Sequence, residues 1–204
     1  MCIAKRLGFI YIDTGAMYRA AALYAIRKGL DPKTDAEAIR DILDDIVIDF
    51  KNDADFQTIF LNGEDVSGKI RDERISIGAS DISAIPAVRD RLVELQREMA
   101  RGKHVIMDGR DIGSNVFPDA DVKIYLTASS GDRAKRRYEQ LLSKGIQTDY
   151  ETVYNDIKNR DYNDKNREYA PLMMARDAVL IDTTGNELEE SIEIIDQMIR
   201  ERLK

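Results

Sequence analysis

The chain has 204 residues and a net charge of -7, and this length fits one domain with room for a small insert. The acidic balance argues against a general nucleic-acid or membrane-surface binder, and the single cysteine, Cys2, excludes a disulfide framework within the chain. No apolar run reaches the roughly 20 residues of a membrane helix and the first residues lack the apolar core of a signal peptide, so we expect a soluble cytoplasmic protein.

Strand-like and helix-like segments alternate along the chain. Short apolar runs predict buried parallel strands at 9–12, 103–109, 122–126 and 178–182. Helical patterns follow the first strand to about residue 28 and recur at 31–46 (with Pro32 in its first turn), 72–85, 86–102, 131–145, 150–163 and 186–204. The segment 47–68 is β-rich, with an Asn-Gly hairpin turn, and indicates a small inserted subdomain. The pattern predicts a three-layer α/β fold with helices on both faces of a parallel sheet.

The first strand ends at Asp13-Thr14-Gly15, and Arg19 lies one turn into the helix that follows. Ligands of parallel α/β sheets bind beyond the carboxyl ends of the strands, and a helix N-terminus with an arginine favours an anion there. The alternative is that Thr14 merely caps the helix and Arg19 is a solvated surface residue. This stretch alone does not decide between the two interpretations.

A second strand-to-loop junction carries Asp108, followed by Gly109, Arg110 and Asp111. An acid at the end of a buried strand is typical of a Mg²⁺–phosphate site, where it holds the metal through water. Arg110 can donate hydrogen bonds and the neighbouring Asp111 can accept them, and cytosine offers partners for both. Asp111 could accept from the amino group of cytosine while Arg110 donates to a ring acceptor. A surface ion pair in a loop is the alternative.

The segment 158–172 is densely charged and is predicted to form a polar helix-loop-helix. Its charged residues include Lys158, Arg160, Asp161, Asp164, Lys165 and Arg167. Such runs are usually solvated faces, but a mobile arginine-rich flap is also what phosphoryl transfer requires.

Four separated segments together resemble the bacterial cytidylate kinase family, whose members phosphorylate CMP and dCMP from ATP: DTGAMYR, AIPAVR, DGRDIG…VFPDA and NRDYNDKNRE. The resemblance runs from about Ala4 to Lys204, whereas adenylate and thymidylate kinases lack the Gly-Arg-Asp element and the β insert. It implies a P-loop-kinase-like fold with a nucleotide-monophosphate-binding insert at 33–86 and a helical lid at 144–170. The core would comprise 1–32, 87–143 and 171–204. It also implies Mg²⁺ with ATP as co-substrate, small-molecule nucleotide partners and a monomer.

Carried over by position, the resemblance implies a role for each candidate residue. Thr14, Arg19, Arg110 and Arg167 would surround the CMP phosphate. Ser80, Arg89, Arg110 and Asp111 would contact the cytosine, and Arg160 and Asp164 the ribose. Arg110, Arg167 and Asp108 would act in catalysis, Asp108 through Mg²⁺. Arg136 would stack on the adenine of ATP, unless it is an ordinary helix-surface arginine.

The chain departs from the family in the segment that would bind the ATP phosphates. The family begins with a strand and a G-x-x-x-x-G-K-S/T loop, and no segment here has that full pattern. A strand, loop and helix start occupy about 20 residues, so we expect an N-terminal truncation that removes a central strand of the sheet. We would then expect these 204 residues to be inactive alone. The alternatives are a non-catalytic CMP-binding relic, another nucleoside monophosphate kinase, or a regulatory protein that reuses the scaffold.

Overall fold

The computed structural model describes residues 1–53 and 56–203 and confirms the predicted α/β class with parallel strand pairing. The chain divides into two compact units, Met1–Ile112 and Gly113–Lys204. The first unit contains α1 (Cys2–Leu7), β1 (Ile10–Asp13), α2 (Thr14–Arg27), α3 (Ala36–Asp41), β2 (Ile48–Asn52), β3 (Gln57–Leu61), β4 (Glu64–Asp65), α4 (Glu73–Ile82), α5 (Pro86–Ala100) and β5 (Val105–Asp108). The second contains β6 (Ile124–Thr127), α6 (Ser130–Ser143), α7 (Tyr150–Asn166), β7 (Val179–Asp182) and α8 (Leu188–Arg202). No helix of the described residues is long and apolar enough to cross a membrane.

The first unit is organised around β1, β5 and α2. The two strands pair in parallel, and their last residues, Asp13 and Asp108, are direct register partners. Helix α2 is rich in alanines that are completely buried, which allows its neighbours to approach closely. Helix α4 packs on it at Gly78, where an added Cβ would lie 3.5 Å from that of Ala22. This packing fixes the helix that begins directly at the end of β1.

The β-rich insert forms the antiparallel sheet β2–β3–β4, as predicted. Its hairpin turns at Asn62 and Gly63, whose φ angles of 51° and 81° match the left-handed conformation that an Asn-Gly turn favours. At the other end of the hairpin, the amide of Gln57 donates to the backbone oxygen of Tyr11 at 2.6 Å. The insert is therefore tied to β1 close to the strand's carboxyl end.

In the second unit, β6 and β7 form a separate parallel pair, and α6 packs along α7. The side chain of Arg133 on α6 donates to both carboxylate oxygens of Asp161 on α7, at 2.9 and 2.5 Å. These bonds fix the C-terminal half of α7 against the beginning of α6.

Three sequence predictions need correction. The helix predicted at 31–46 is reduced to α3 and a short 3-10 helix, Leu43–Asp45, because residues 31–35 form a turn. Within it, the Lys33 N–H donates to Asp31 and the Asp31 N–H donates to Asp35, both at 2.9 Å. The polar helix-loop-helix at 158–172 has only its first helix, the end of α7, because residues 167–178 are not helical. Strands β1, β5, β6 and β7 are mostly half-buried or exposed rather than buried, and their buried residues are Ile12 and Ile181.

Candidate active site

The carboxyl ends of β1 and β5 bring several polar side chains together. The phenol of Tyr11 donates to Asp108 Oδ2 at 2.8 Å, and Arg19 donates to Asp13 at 3.0 Å. The hydroxyl of Thr14 donates to the backbone oxygen of Asp108 at 2.6 Å. We call these five residues the strand-end site. Two acids and one arginine therefore lie at the junction where the sequence indicated an anion or metal site.

The interpretation of Thr14 as the helix cap and of Arg19 as a solvated surface residue is wrong. The helix cap is Asp13, whose carboxylate accepts the Ala16 N–H at 2.8 Å, and not Thr14. Thr14 is buried and bridges to the end of β5, while Arg19 is partly buried and paired with Asp13. Arg19 is thus held beside the helix N-terminus.

The electrostatics of the strand-end site are set by its two acids. Burial raises the pKa of Asp108, and the negative charge of Asp13 raises that pKa further, with Arg110 acting in the opposite direction. Part of the Asp108 residue surface remains exposed to solvent, so screening by water keeps this effect modest. Burial and the charge of Asp108 also raise the pKa of Tyr11, which therefore stays protonated and donates to Asp108.

Three residues after Asp108, Asp111 lies in a buried ion pair with Arg89 of α5. The distance from Arg89 Nη2 to Asp111 Oδ2 is 2.5 Å, and the side chains are only 1% and 6% exposed. Arg89 also donates to the backbone oxygen of Ser83 at 3.2 Å. The alternative of a surface ion pair in a loop is therefore wrong for Asp111, because its partner is a buried arginine from a helix.

Ser80 and Arg110 complete the residues that the sequence assigned to the base. Ser80 lies on α4, half-buried, and its backbone oxygen accepts from the hydroxyl of Ser83 at 2.7 Å. Arg110 is exposed in the loop between Asp108 and Asp111. The assignment of both residues to the cytosine stays a prediction.

The second unit holds the candidate ribose and lid residues at the end of α7. Asp164 is buried, and its backbone oxygen accepts the Leu172 N–H at 2.7 Å. Arg167 donates through Nε to the backbone oxygen of Ala170 at 2.6 Å and lies 3.8 Å from Asp164. Arg160 is exposed beside Asp161. The segment after α7 is therefore folded back on the helix.

Arg136 on α6 donates to the backbone oxygens of Thr183 and Asn186, at 2.7 and 3.1 Å. The arginine thus holds the loop between β7 and α8, which is more than an ordinary surface role. Its predicted stacking on adenine stays a prediction.

One local pattern was missed at the sequence level. Gly63, Gly68 and Lys69 have the G-x-x-x-x-G-K spacing, but Ile70 stands where the phosphate loop has Ser or Thr. Ile70 is buried, and Lys69 pairs with Glu64, which also binds Arg27. The segment is a hairpin edge tied to α2 rather than a phosphate cradle.

Comparison with known proteins decides the family. The family model described as Cytidylate kinase matches residues 1–201. A protein named Cytidylate kinase from Caldicellulosiruptor bescii is 46% identical over 99% of this chain and 89% of its own length. One of the same name from Lactobacillus gasseri is 48% identical over 99% of this chain and 87% of its own. The chain belongs to the cytidylate kinase family.

Membership of the cytidylate kinase family makes the chain an enzyme of the nucleoside monophosphate kinase class, for which ATP is the phosphoryl donor. The matches extend over 99% of the chain and do not support the predicted N-terminal truncation. Three residues that were not predicted contact predicted site residues: Tyr11, Asp13 and Tyr18. They could have been found from the sequence, because they lie within the DTGAMYR segment or in the strand before it.

Proposed function

We propose that the chain uses CMP and dCMP as phosphoryl acceptors and selects them by their cytosine base. The observation that carries this proposal is the buried Arg89–Asp111 pair. A carboxylate accepts from the exocyclic amino group of cytosine, which uracil replaces with a carbonyl. Asp111, held by Arg89, is therefore suited to prefer cytosine over uracil.

The acceptor phosphate is proposed to bind at the strand-end site. Arg19 is fixed beside the N-terminus of α2 by its 3.0 Å ion pair with Asp13, and both the arginine and the helix end favour an anion. Thr14 links this helix end to the backbone of Asp108. Arg110, two residues after Asp108, is proposed to add a further positive charge. Phosphoryl transfer depends on this kind of positioning and charge neutralisation.

Asp108 is proposed to hold Mg²⁺ through water. The Asp108 carboxylate offers the oxygen ligands that Mg²⁺ prefers. The negative charge of Asp13 repels that of Asp108 and raises the pKa of Asp108, and a bound cation would relieve this repulsion. When bound, Mg²⁺ supplies charge neutralisation for the phosphoryl oxygens. Tyr11 keeps the Asp108 carboxylate in one orientation through its hydrogen bond.

The second unit is proposed to supply the remaining predicted contacts. Arg160 and Asp164 are assigned to the ribose, Arg167 to the transferring phosphoryl group and Arg136 to adenine. These roles follow from the resemblance, together with the insert at 33–86 and the lid at 144–170. The cytoplasmic location and the monomeric state likewise stay predictions.

Titration calorimetry with CMP, dCMP, UMP and AMP tests the proposal. We expect CMP and dCMP to bind at least about tenfold more tightly than UMP, the discrimination that one well-placed hydrogen bond provides. Equal affinities for CMP and UMP would contradict the proposed base selection. Formation of CDP from CMP and ATP by the same protein would show transfer. CMP binding without CDP would instead indicate a protein that only binds the nucleotide.

A further inference from the structure

Tyr18 contacts the Arg89–Asp111 pair from the side of α2. The Cζ atom of Arg89 lies 5.4 Å from the centre of the Tyr18 ring. An arginine at this distance from an aromatic ring is attracted by the electron-rich face, and the attraction is strongest where water is excluded. The Arg89 side chain is 1% exposed, so the contact lies in such a place.

The guanidinium group of Arg89 makes hydrogen bonds through both of its terminal nitrogen atoms. Nη2 binds Asp111 and Nη1 donates to the backbone oxygen of Ser83. The remaining donor, Nε, is buried and has no hydrogen-bond partner within residues 1–53 and 56–203. The Tyr18 ring lies against this guanidinium and opposes a tilt of its plane.

The orientation of Arg89 is transmitted to Asp111. Because Asp111 Oδ2 accepts from Arg89 Nη2 at 2.5 Å, a tilt of the guanidinium would shift one of the contacts that orient the carboxylate. Hydrogen bonds weaken steeply with misalignment, so a turned carboxylate would discriminate less between an amino group and a carbonyl. We propose that Tyr18 is a positioning residue for base selection, acting through Arg89 on Asp111. The proposal rests on the proposed function, because it assumes that Asp111 receives the base.

A simpler role for Tyr18 is packing, since the half-buried ring also contacts the hydrophobic core. The two roles predict different results. Loss of packing would weaken CMP and UMP binding by the same factor, because it would disturb the whole site. Loss of positioning would weaken CMP binding selectively, because only the amino group of cytosine is read by Asp111.

The test is a calorimetric measurement of CMP and UMP affinities for three variants of the full chain. Tyr18→Leu removes the ring, and we expect the CMP/UMP affinity ratio to fall about fivefold, the size of one cation–π contact. Tyr18→Phe keeps the ring face and should retain the ratio of the unmodified protein. Tyr24→Leu is the matched control, because Tyr24 is also on α2 and has the Lys28 ammonium 5.2 Å from its ring. It should leave the ratio unchanged.

The outcomes separate this inference from the proposed function. If the unmodified chain shows no preference for CMP, the proposed function fails and this inference fails with it. If it prefers CMP but Tyr18→Leu keeps the ratio, only the inference is wrong. If Tyr18→Leu does not fold, the Arg89 Nε–H resonance in Tyr18→Phe and in the unmodified chain decides. A ring-current shift in both supports the stacking, and its absence overturns the proposal.

Discussion

Each of the two units contains a close arginine–aspartate pair, and the two pairs differ in burial rather than in shortest distance. Arg89 and Asp111 in the first unit, and Arg133 and Asp161 in the second, both approach to 2.5 Å. The first pair is 1% and 6% exposed, whereas the second is 35% and 28% exposed. A buried charge that loses its partner is costly, while a partly exposed one is rehydrated. Equal shortest distances therefore imply unequal consequences.

The largest expected effect comes from breaking the buried pair. Asp111→Ala leaves the Arg89 guanidinium buried and uncompensated, and we expect a loss of about 3–5 kcal/mol in the free energy of unfolding. Urea denaturation followed by circular dichroism measures it. The double variant Arg89→Met/Asp111→Ala is the control, and it should recover a large part of the loss because no unpaired charge remains. A loss below about 1 kcal/mol would show that the pair behaves like a surface pair.

A steric change at the strand-end site should come next in size. A Cβ at Gly109 would lie 2.5 Å from Thr14 Oγ1 and 2.7 Å from Ile112 Cδ1. Gly109→Ala should therefore displace both side chains and lower the free energy of unfolding by about 1–3 kcal/mol. Thermal and urea denaturation check this value.

Gly68→Ala is the matched control for this substitution. Gly68 has helical backbone angles and no atom within 4 Å of the added Cβ. Alanine there should be neutral or stabilising by about 0.4–1 kcal/mol. Equal destabilisation by the two alanines would contradict the close approach at Gly109.

Breaking the partly exposed Arg133–Asp161 pair should change the free energy of unfolding only weakly. Asp161→Asn removes one charge of the Arg133–Asp161 pair, and we expect a change of about 0–1 kcal/mol in the free energy of unfolding. The same denaturation experiment at low and high salt measures it, with screening expected to reduce the difference. A loss as large as that of Asp111→Ala would remove the contrast between the two pairs.

The smallest effect concerns an exposed acid and depends on pH. Hydrogen bonds from Arg27, followed by that from Lys69, lower the pKa of Glu64 from 4.5 to about 2. A carboxylate whose pKa is lower in the folded state stabilises that state at pH values above its unfolded-state pKa. This stabilisation is lost as the pH falls from 4.5 towards 2. Glu64→Gln should therefore lower Tm at neutral pH and have little effect at about pH 2. An equal Tm difference at both values would contradict the assignment.

Much of the fold could be predicted from local patterns. The Asn62-Gly63 turn and Pro86 at the start of α5 follow from conformational rules that act over a few residues. The helix predicted at 31–46 was wrong because Asp31 and Asp35 bind nearby backbone N–H groups and favour a turn. Helical periodicity alone does not reveal that competition.

The site was less predictable, because its decisive contacts join distant residues. In the sequence, the acidic residue Asp111 lies next to Arg110. In the structure it pairs instead with Arg89, 22 residues away. Tyr18 was absent from the predicted site, since an aromatic residue on a helix most often belongs to the core. The burial that makes this pair costly to break depends on the packing of α2, α5 and the end of β5.

The most direct test of the account is the CMP/UMP affinity ratio of Asp111→Asn, which keeps the shape of the side chain and removes its charge. The account predicts that CMP affinity falls about tenfold or more while UMP affinity changes little, so that the ratio approaches one. Asp49→Asn, the same change at an exposed position of β2, should leave the ratio unaltered. A variant Asp111→Asn that still prefers CMP as strongly as the unmodified protein would contradict the central claim that the buried pair selects the base.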